Sequence, residues 1–138
     1  MSEFFDSCLY FRLNRILRTL TQHADAAFAQ HKLSSSYAYL LILVGNNPKI
    51  GTVDLSNELN LSPSTVTRLV DKMVAQGYLE RVKDGKRCEI SCTEVGTAMA
   101  VELLQTWQKF QQDMSKQVGD EVYNGLNSEL KKLEEKVN

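Results

Sequence analysis

The sequence predicts a mainly α-helical chain with one small β-hairpin. Three observations predict it. Apolar residues recur at three- and four-residue steps through most of the 138 residues, the mark of helices with one buried face. Helix-start and helix-stop residues punctuate those stretches at short intervals. A single segment, YLERVKDGKRCEIS, departs from the helical period: two β-like runs flank Asp84-Gly85, the strongest dipeptide signal for a two-residue hairpin turn.

In the first segment Leu9, Leu13, Ile16, Leu17, Leu20, Ala24 and Phe28 form one stripe, so the spacing predicts a long amphipathic helix. Ser34-Ser35-Ser36 offers an N-cap for a second, mostly apolar helix from Tyr37 to Val44, which Gly45-Asn46-Asn47-Pro48 stops. Thr52 is the expected cap of a short third helix carrying Val53, Leu55 and Leu59. Asn60 is the expected left-handed turn residue after it. Ser62 then caps a fourth helix with Pro63 at its first position, where the missing N–H costs nothing, and Gly77 closes that helix. Beyond the hairpin, Thr93 caps a fifth helix striped by Met99, Leu103, Trp107, Phe110, Met114 and Val118. Gly119-Asp120 ends it, and Val122, Leu126, Leu130, Leu133 and Val137 mark a sixth.

This order places a winged helix-turn-helix lobe at residues 34–92 within a single domain spanning 1–138. The outer segments, 1–32 and 94–138, carry more apolar stripe than a core around residues 37–92 needs. Such stripes bury against a second subunit, so these are expected to be dimerisation helices.

Composition narrows the function classes. Net charge is −1, so any basic surface has to be local. No apolar run approaches the roughly 20 residues that cross a bilayer, so no membrane role is expected. The start, MSEFFDSCLYFR, lacks the basic region of a signal peptide. Cys8, Cys88 and Cys92 are too few and too scattered for a disulfide framework or a zinc site, which points to a cytoplasmic protein. The two histidines, His23 and His31, belong to no ligand pattern, and neither a metal nor another cofactor is expected. No nucleophile–base pair, phosphate loop or paired carboxylate emerges, so the chain does not read as an enzyme.

The stretch NLSPSTVTRLVDK carries the functional signal. On a helical wheel Val66, Leu69, Val70 and Met73 share one face; Ser64, Arg68, Asp71, Lys72 and Ala75 share the other, with Thr65 and Thr67 at the flanks. Small residues let a backbone approach a major groove, hydroxyls reach phosphates or base edges, and arginine can pair bidentately with guanine. The hairpin adds Arg81, Lys83, Lys86 and Arg87 against Asp84, a local charge of +3 over residues 81–87, suited to gripping phosphates. Over residues 52–92, however, six basic residues meet six acidic ones. That balance keeps open a second reading, a winged-helix protein-interaction module without direct DNA reading.

Taken together, the segments Leu61–Arg68, Gly77–Arg81 and Cys92–Gly96 resemble the MarR family of bacterial transcriptional regulators, whose pattern covers nearly the whole chain. The resemblance implies a homodimer with interleaved terminal helices, reading a pseudo-palindromic operator in double-stranded DNA as a repressor. By position, Ser62, Ser64, Thr65, Thr67, Arg68 and Lys72 would face DNA, and Ser36 and Thr52 would contact phosphate. Two departures stand out. Family wings carry Asp-x-Arg at the end of a longer loop, where this chain has Asp84-Gly85-Lys86 followed by Arg87; minor-groove insertion then falls to Lys86 or Arg87, or the wing touches backbone only. Cys92 replaces the usual leucine before Thr93. Relatives of this type are released by small phenolic ligands, by peroxide acting on a cysteine, or by metals. Here Cys8, among Phe5, Tyr10 and Phe11, is the candidate redox residue, about one helical turn from the family's position. Tyr37, Tyr39 and Trp107 could line the pocket of a small-molecule effector.

Overall fold

The computed structural model describes residues 3–138. Its chain divides into two compact units, Met1–Leu104 and Gln105–Asn138, and the boundary falls within one long helix, α5 (Glu94–Val118).

The first unit opens with α1 (Leu9–Phe28), where the Cys8 thiol occupies the N-cap and its Sγ accepts the Phe11 N–H at 3.5 Å. A short 3₁₀ turn, Ala29–His31, ends at Lys32 in the left-handed region (φ 59°). Helix α2 (Ser35–Asn46) starts earlier than the apolar run Tyr37 to Val44 suggests. Ser34 stands at its N-cap without a side-chain bond; the cap is supplied across the helix pair by the Asp25 carboxylate, which accepts the Ser35 N–H at 2.8 Å. Hydrogen bonds from the Ser35 side chain and from its backbone N–H hold the Asp25 pKa below the ordinary carboxylate value, with partial burial pushing weakly the other way.

A two-residue strand, β1 (Ile50–Gly51), has no counterpart in the sequence expectation; two residues are too short to show a period. It leads into α3 (Thr52–Leu59), so Gly51, not Thr52, occupies the cap position. The Thr52 hydroxyl instead donates to the Cys88 carbonyl at 3.5 Å. Asn60 takes the left-handed conformation expected of it (φ 50°, ψ 45°) and turns the chain into α4 (Pro63–Ala75). Ser62 caps α4, its Oγ accepting the Thr65 N–H at 3.3 Å. At the other end, Gly77 (φ +83°) closes the helix through Gly77 N–H to Val74 O (3.0 Å) and Tyr78 N–H to Met73 O (2.9 Å), the paired bonds of a Schellman turn.

Strands β2 (Leu79–Asp84) and β3 (Arg87–Cys92) form the wing, and the sheet runs β1-β3-β2, antiparallel throughout. Asp84 pairs with Arg87, so the two turn residues are Gly85-Lys86, one position later than the Asp84-Gly85 signal implies. Gly85 has φ +63°, the value its place at the head of a tight hairpin turn demands. Thr93 then joins the wing to α5. Its hydroxyl donates to the Gly77 carbonyl at 2.6 Å and accepts the Gly96 N–H at 3.0 Å, while its own N–H reaches the Tyr78 carbonyl at 3.0 Å. Gly96 lies so close that a Cβ there would run into the Tyr78 carbonyl oxygen.

The core of this unit is assembled from Leu40, Leu41 and Val44 of α2, Leu55 of α3, Val66, Val70 and Met73 of α4, Leu79 and Ile90 of the wing, and Leu103 of α5, all essentially buried. The apolar face assigned to the fourth helix is the face that α4 buries. Each such side chain contributes about 1.5–3 kcal/mol, which fixes α4 and leaves its opposite face outside.

The second unit holds the end of α5 and α6 (Asp120–Val137), joined at Gly119 (φ +96°), with Ser115 Oγ and Asp120 Oδ1 2.6 Å apart across the joint. Helix α6 buries none of its residues.

Candidate nucleic-acid interface

The first turn of α4 is a cluster of hydroxyls. Ser62 Oγ lies 2.8 Å from Thr65 Oγ1 and 3.2 Å from Ser64 Oγ. Pro63 has no N–H, and the Thr65 and Val66 amides are taken by Ser62. The Ser64 N–H has no hydrogen-bond partner among the described residues and lies at the positive end of the helix dipole, a position that suits a phosphate oxygen. One turn on, Arg68 is exposed and forms no ion pair or hydrogen bond among the described residues. Thr67 is exposed beside it. Lys72 folds back: its Nζ lies 4.9 Å from the centre of the Tyr37 ring on α2, a cation–π contact that steadies the ammonium at the lobe surface. Ser36 is exposed on the first turn of α2.

The wing's four basic residues differ in their surroundings. Lys83 and Lys86 are exposed and unpaired among the described residues. Arg87 lies between Asp54 Oδ2 (3.8 Å) and Glu89 Oε1 (3.6 Å), at the edge of an open recess of about 450 Å³ lined also by Gly51, Thr52, Lys86 and Cys88. Arg81 turns to α4, where its Nη1 meets Asp71 Oδ1 at 2.7 Å and its Nη2 donates to the Thr67 carbonyl at 3.3 Å. Sequence reasoning saw Asp71 and Arg81 separately and missed the pair, which joins residues ten apart across a helix end and a turn.

Two aromatics assigned to an effector pocket have partners of their own in the lobe. Tyr37 lies under Lys72, and Tyr39 packs edge-on against Phe28 with ring centres 5.8 Å apart. Among the cysteines, Cys92 is half-buried with Sγ 4.0 Å from the Leu41 carbonyl, and burial pushes its thiol pKa up, away from the reactive thiolate. Among the described residues, no three His, Cys, Asp or Glu side chains gather as metal ligands, and no helix is long and apolar enough to cross a membrane.

A buried core shared by α2, α3 and α4, a capped α4 whose polar face is turned outward and a basic two-stranded wing define a winged helix-turn-helix protein. A family model described as MarR family matches residues 31–87, the stretch from the end of the α1–α2 connection through the wing turn. Several solved structures share the fold. A MarR protein from Peptoclostridium difficile superposes with a TM-score of 0.85 at 19% identity, covering 99% of this chain and 92% of that one. The Staphylococcus aureus MepR–DNA complex gives 0.84 at 16% identity over 96% and 100% of the two chains. The regulator BilQ of Clostridioides difficile, described as an HTH-type transcriptional regulator, is 19% identical over 125 residues, 88% of this chain and 84% of its own length. The chain thus has the fold of a winged-helix protein, and over residues 31–87 it is similar to the MarR family.

Proposed function

We propose that the chain acts as a homodimeric repressor that reads a pseudo-palindromic operator through the outer face of α4 and grips the flanking backbone through the wing. The observation that carries this is the state of α4: a hydroxyl-rich N-terminus with an available Ser64 N–H, followed one turn later by an unpaired, exposed Arg68. In this reading Ser62, Ser64, Thr65, Thr67, Arg68 and Lys72 meet DNA from the helix, and Lys83, Lys86 and Arg87 from the wing, with Ser36 and Thr52 near phosphate. Support from similar proteins comes from a MarR variant of E. coli solved with operator DNA, which matches with a TM-score of 0.82 at 22% identity.

Dimerisation is supported by apolar surface that one copy leaves bare. Phe4, Tyr10 and Leu17 are 91%, 79% and 62% exposed, and α6 exposes Val122, Leu126, Leu130 and Val137 at helical spacing. Exposed apolar stripes of this extent mark interaction surfaces, and the occupant is a second copy of the same helices. Two lobes then read two half-sites about one helical turn apart. Release by a small effector or an oxidant completes the proposal. A CouR structure from Rhodococcus jostii bound to p-coumaroyl-CoA, TM-score 0.80 at 18% identity, supports the effector branch. The oxidant branch rests on Cys8, whose sulfur receives the Phe11 N–H at the start of α1.

Selection of genomic fragments on the purified protein, with its mass measured in solution, tests this directly. The expected result is a dimer that enriches one promoter-type sequence with two related half-sites and loses affinity steeply as salt rises. A monomer, or a dimer with no salt-dependent retention of any fragment, would overturn it and favour a protein-binding module.

A further inference from the structure

Charge counting alone assigns Arg81 to phosphate gripping, with the other bases of the wing. Its surroundings assign it elsewhere. Arg81 follows the buried Leu79 by two residues, so it leaves β2 on the strand's core-facing side. From there its guanidinium reaches α4 and makes two contacts, Asp71 Oδ1 at 2.7 Å and the Thr67 carbonyl at 3.3 Å. Its side chain is 31% exposed, against 60% for Asp71.

Asp71 is the only acid in α4 (PSTVTRLVDKMVA). It stands three residues after Arg68, within the spacing at which an arginine and a carboxylate pair along a helix. Arg68 nonetheless has no such partner, and it is Arg81 that holds Asp71. Left alone, Asp71 would do two harmful things at a DNA surface. It would draw the Arg68 guanidinium down onto the helix, and it would place an uncompensated negative charge beside phosphates.

We propose that Arg81 is a positioning residue for DNA reading: by occupying Asp71 and the Thr67 carbonyl, it keeps Arg68 extended for a base edge and masks the one carboxylate of the reading helix. The inference rests on the DNA-reading role proposed for α4. Titrating wild-type protein with its selected operator tests that role first and separately.

The test is operator binding across a salt series for wild type, Arg81→Met, Asp71→Asn and the double variant. Methionine keeps an apolar stem of similar length and removes the charge. Arg81→Met is expected to lose roughly tenfold in specific affinity, in the range for withdrawing a base-reading arginine, while the slope of log affinity against log salt stays unchanged. Asp71→Asn binds like wild type. The double variant recovers to within about threefold of wild type, because no carboxylate remains to capture Arg68. Should Arg81→Met fold poorly by itself, the comparison within the Asp71→Asn background decides alone: there the proposal expects adding Arg81→Met to have little effect. A double variant as weak as Arg81→Met, with the salt slope lower by about 1 per protomer, would make Arg81 a phosphate contact and overturn the proposal. Arg81→Met binding like wild type would overturn it as well.

Discussion

On α4 the helix's one acid, Asp71, is held at 2.7 Å by Arg81 from the neighbouring strand, and Arg68 stands free. On the wing the arrangement is reversed: Arg87 rests 3.6–3.8 Å from two acids of its own, Asp54 and Glu89, and only the lysines stand free. In the role proposed for Arg81, the helix would keep Arg68 ready by tying down the competing charge. Arg87 is loosely held, by an exposed Asp54 and a largely covered Glu89, and the longer of the two pairs, to Asp54, lies at an exposed site where ion pairs are worth little. Under the DNA-reading role proposed for α4, a base edge needs a guanidinium that no neighbouring acid holds, whereas a phosphate backbone accepts any nearby cation, and the two regions would suit these two kinds of contact.

The largest effect is expected where both regions depend on one joint. Thr93 and Gly96 lock the exit turn of α4 to α5, and Gly96→Ala would force a methyl into the Tyr78 carbonyl. We expect about 3 kcal/mol of destabilisation, read by denaturant unfolding, because backbone cannot yield as a side chain can. Unfolding like wild type would show that the joint is not rigid. A smaller effect separates helix from wing. Lys83→Ala and Lys86→Ala should each weaken binding to all sequences alike and lower the salt slope by about 1 per protomer, without changing which fragments are preferred. A change of preferred sequence would mean that the wing reads bases.

The smallest effect lies outside both regions. Asp25→Asn weakens the cap of α2 and should cost about 1 kcal/mol at neutral pH. The folded Asp25 pKa lies below its unfolded value near 4, so the stabilisation is complete above that value and fades as pH falls through the folded pKa. The gap between wild type and variant in thermal unfolding should therefore close only in acid; a gap independent of pH would exclude the carboxylate as its source.

These contacts also mark how far the sequence could be read. Both ends of α4 were legible because Ser62-Pro63 and Gly77 act locally, within one turn of the residues they cap. The buried face of α4 was legible from period alone. Strand β1 was not, since its two residues are a strand only by pairing with β3, and its presence moves the cap of α3 from Thr52 to Gly51. The hairpin shifted by one residue because Gly85 takes the first central position of the turn and Asp84 closes the ladder opposite Arg87. Asp25 with Ser35, and Asp71 with Arg81, join residues brought together by packing, so no local pattern announces them.

Everything proposed for α4 turns on Arg68 meeting a base edge. Titration of the selected operator and of a scrambled duplex with Arg68→Ala measures this without intermediaries. The expected result is a loss of about 1–3 kcal/mol on the operator, a relaxed preference at one position of each half-site, and little change on the scrambled duplex. Equal binding of operator by variant and wild type would contradict it.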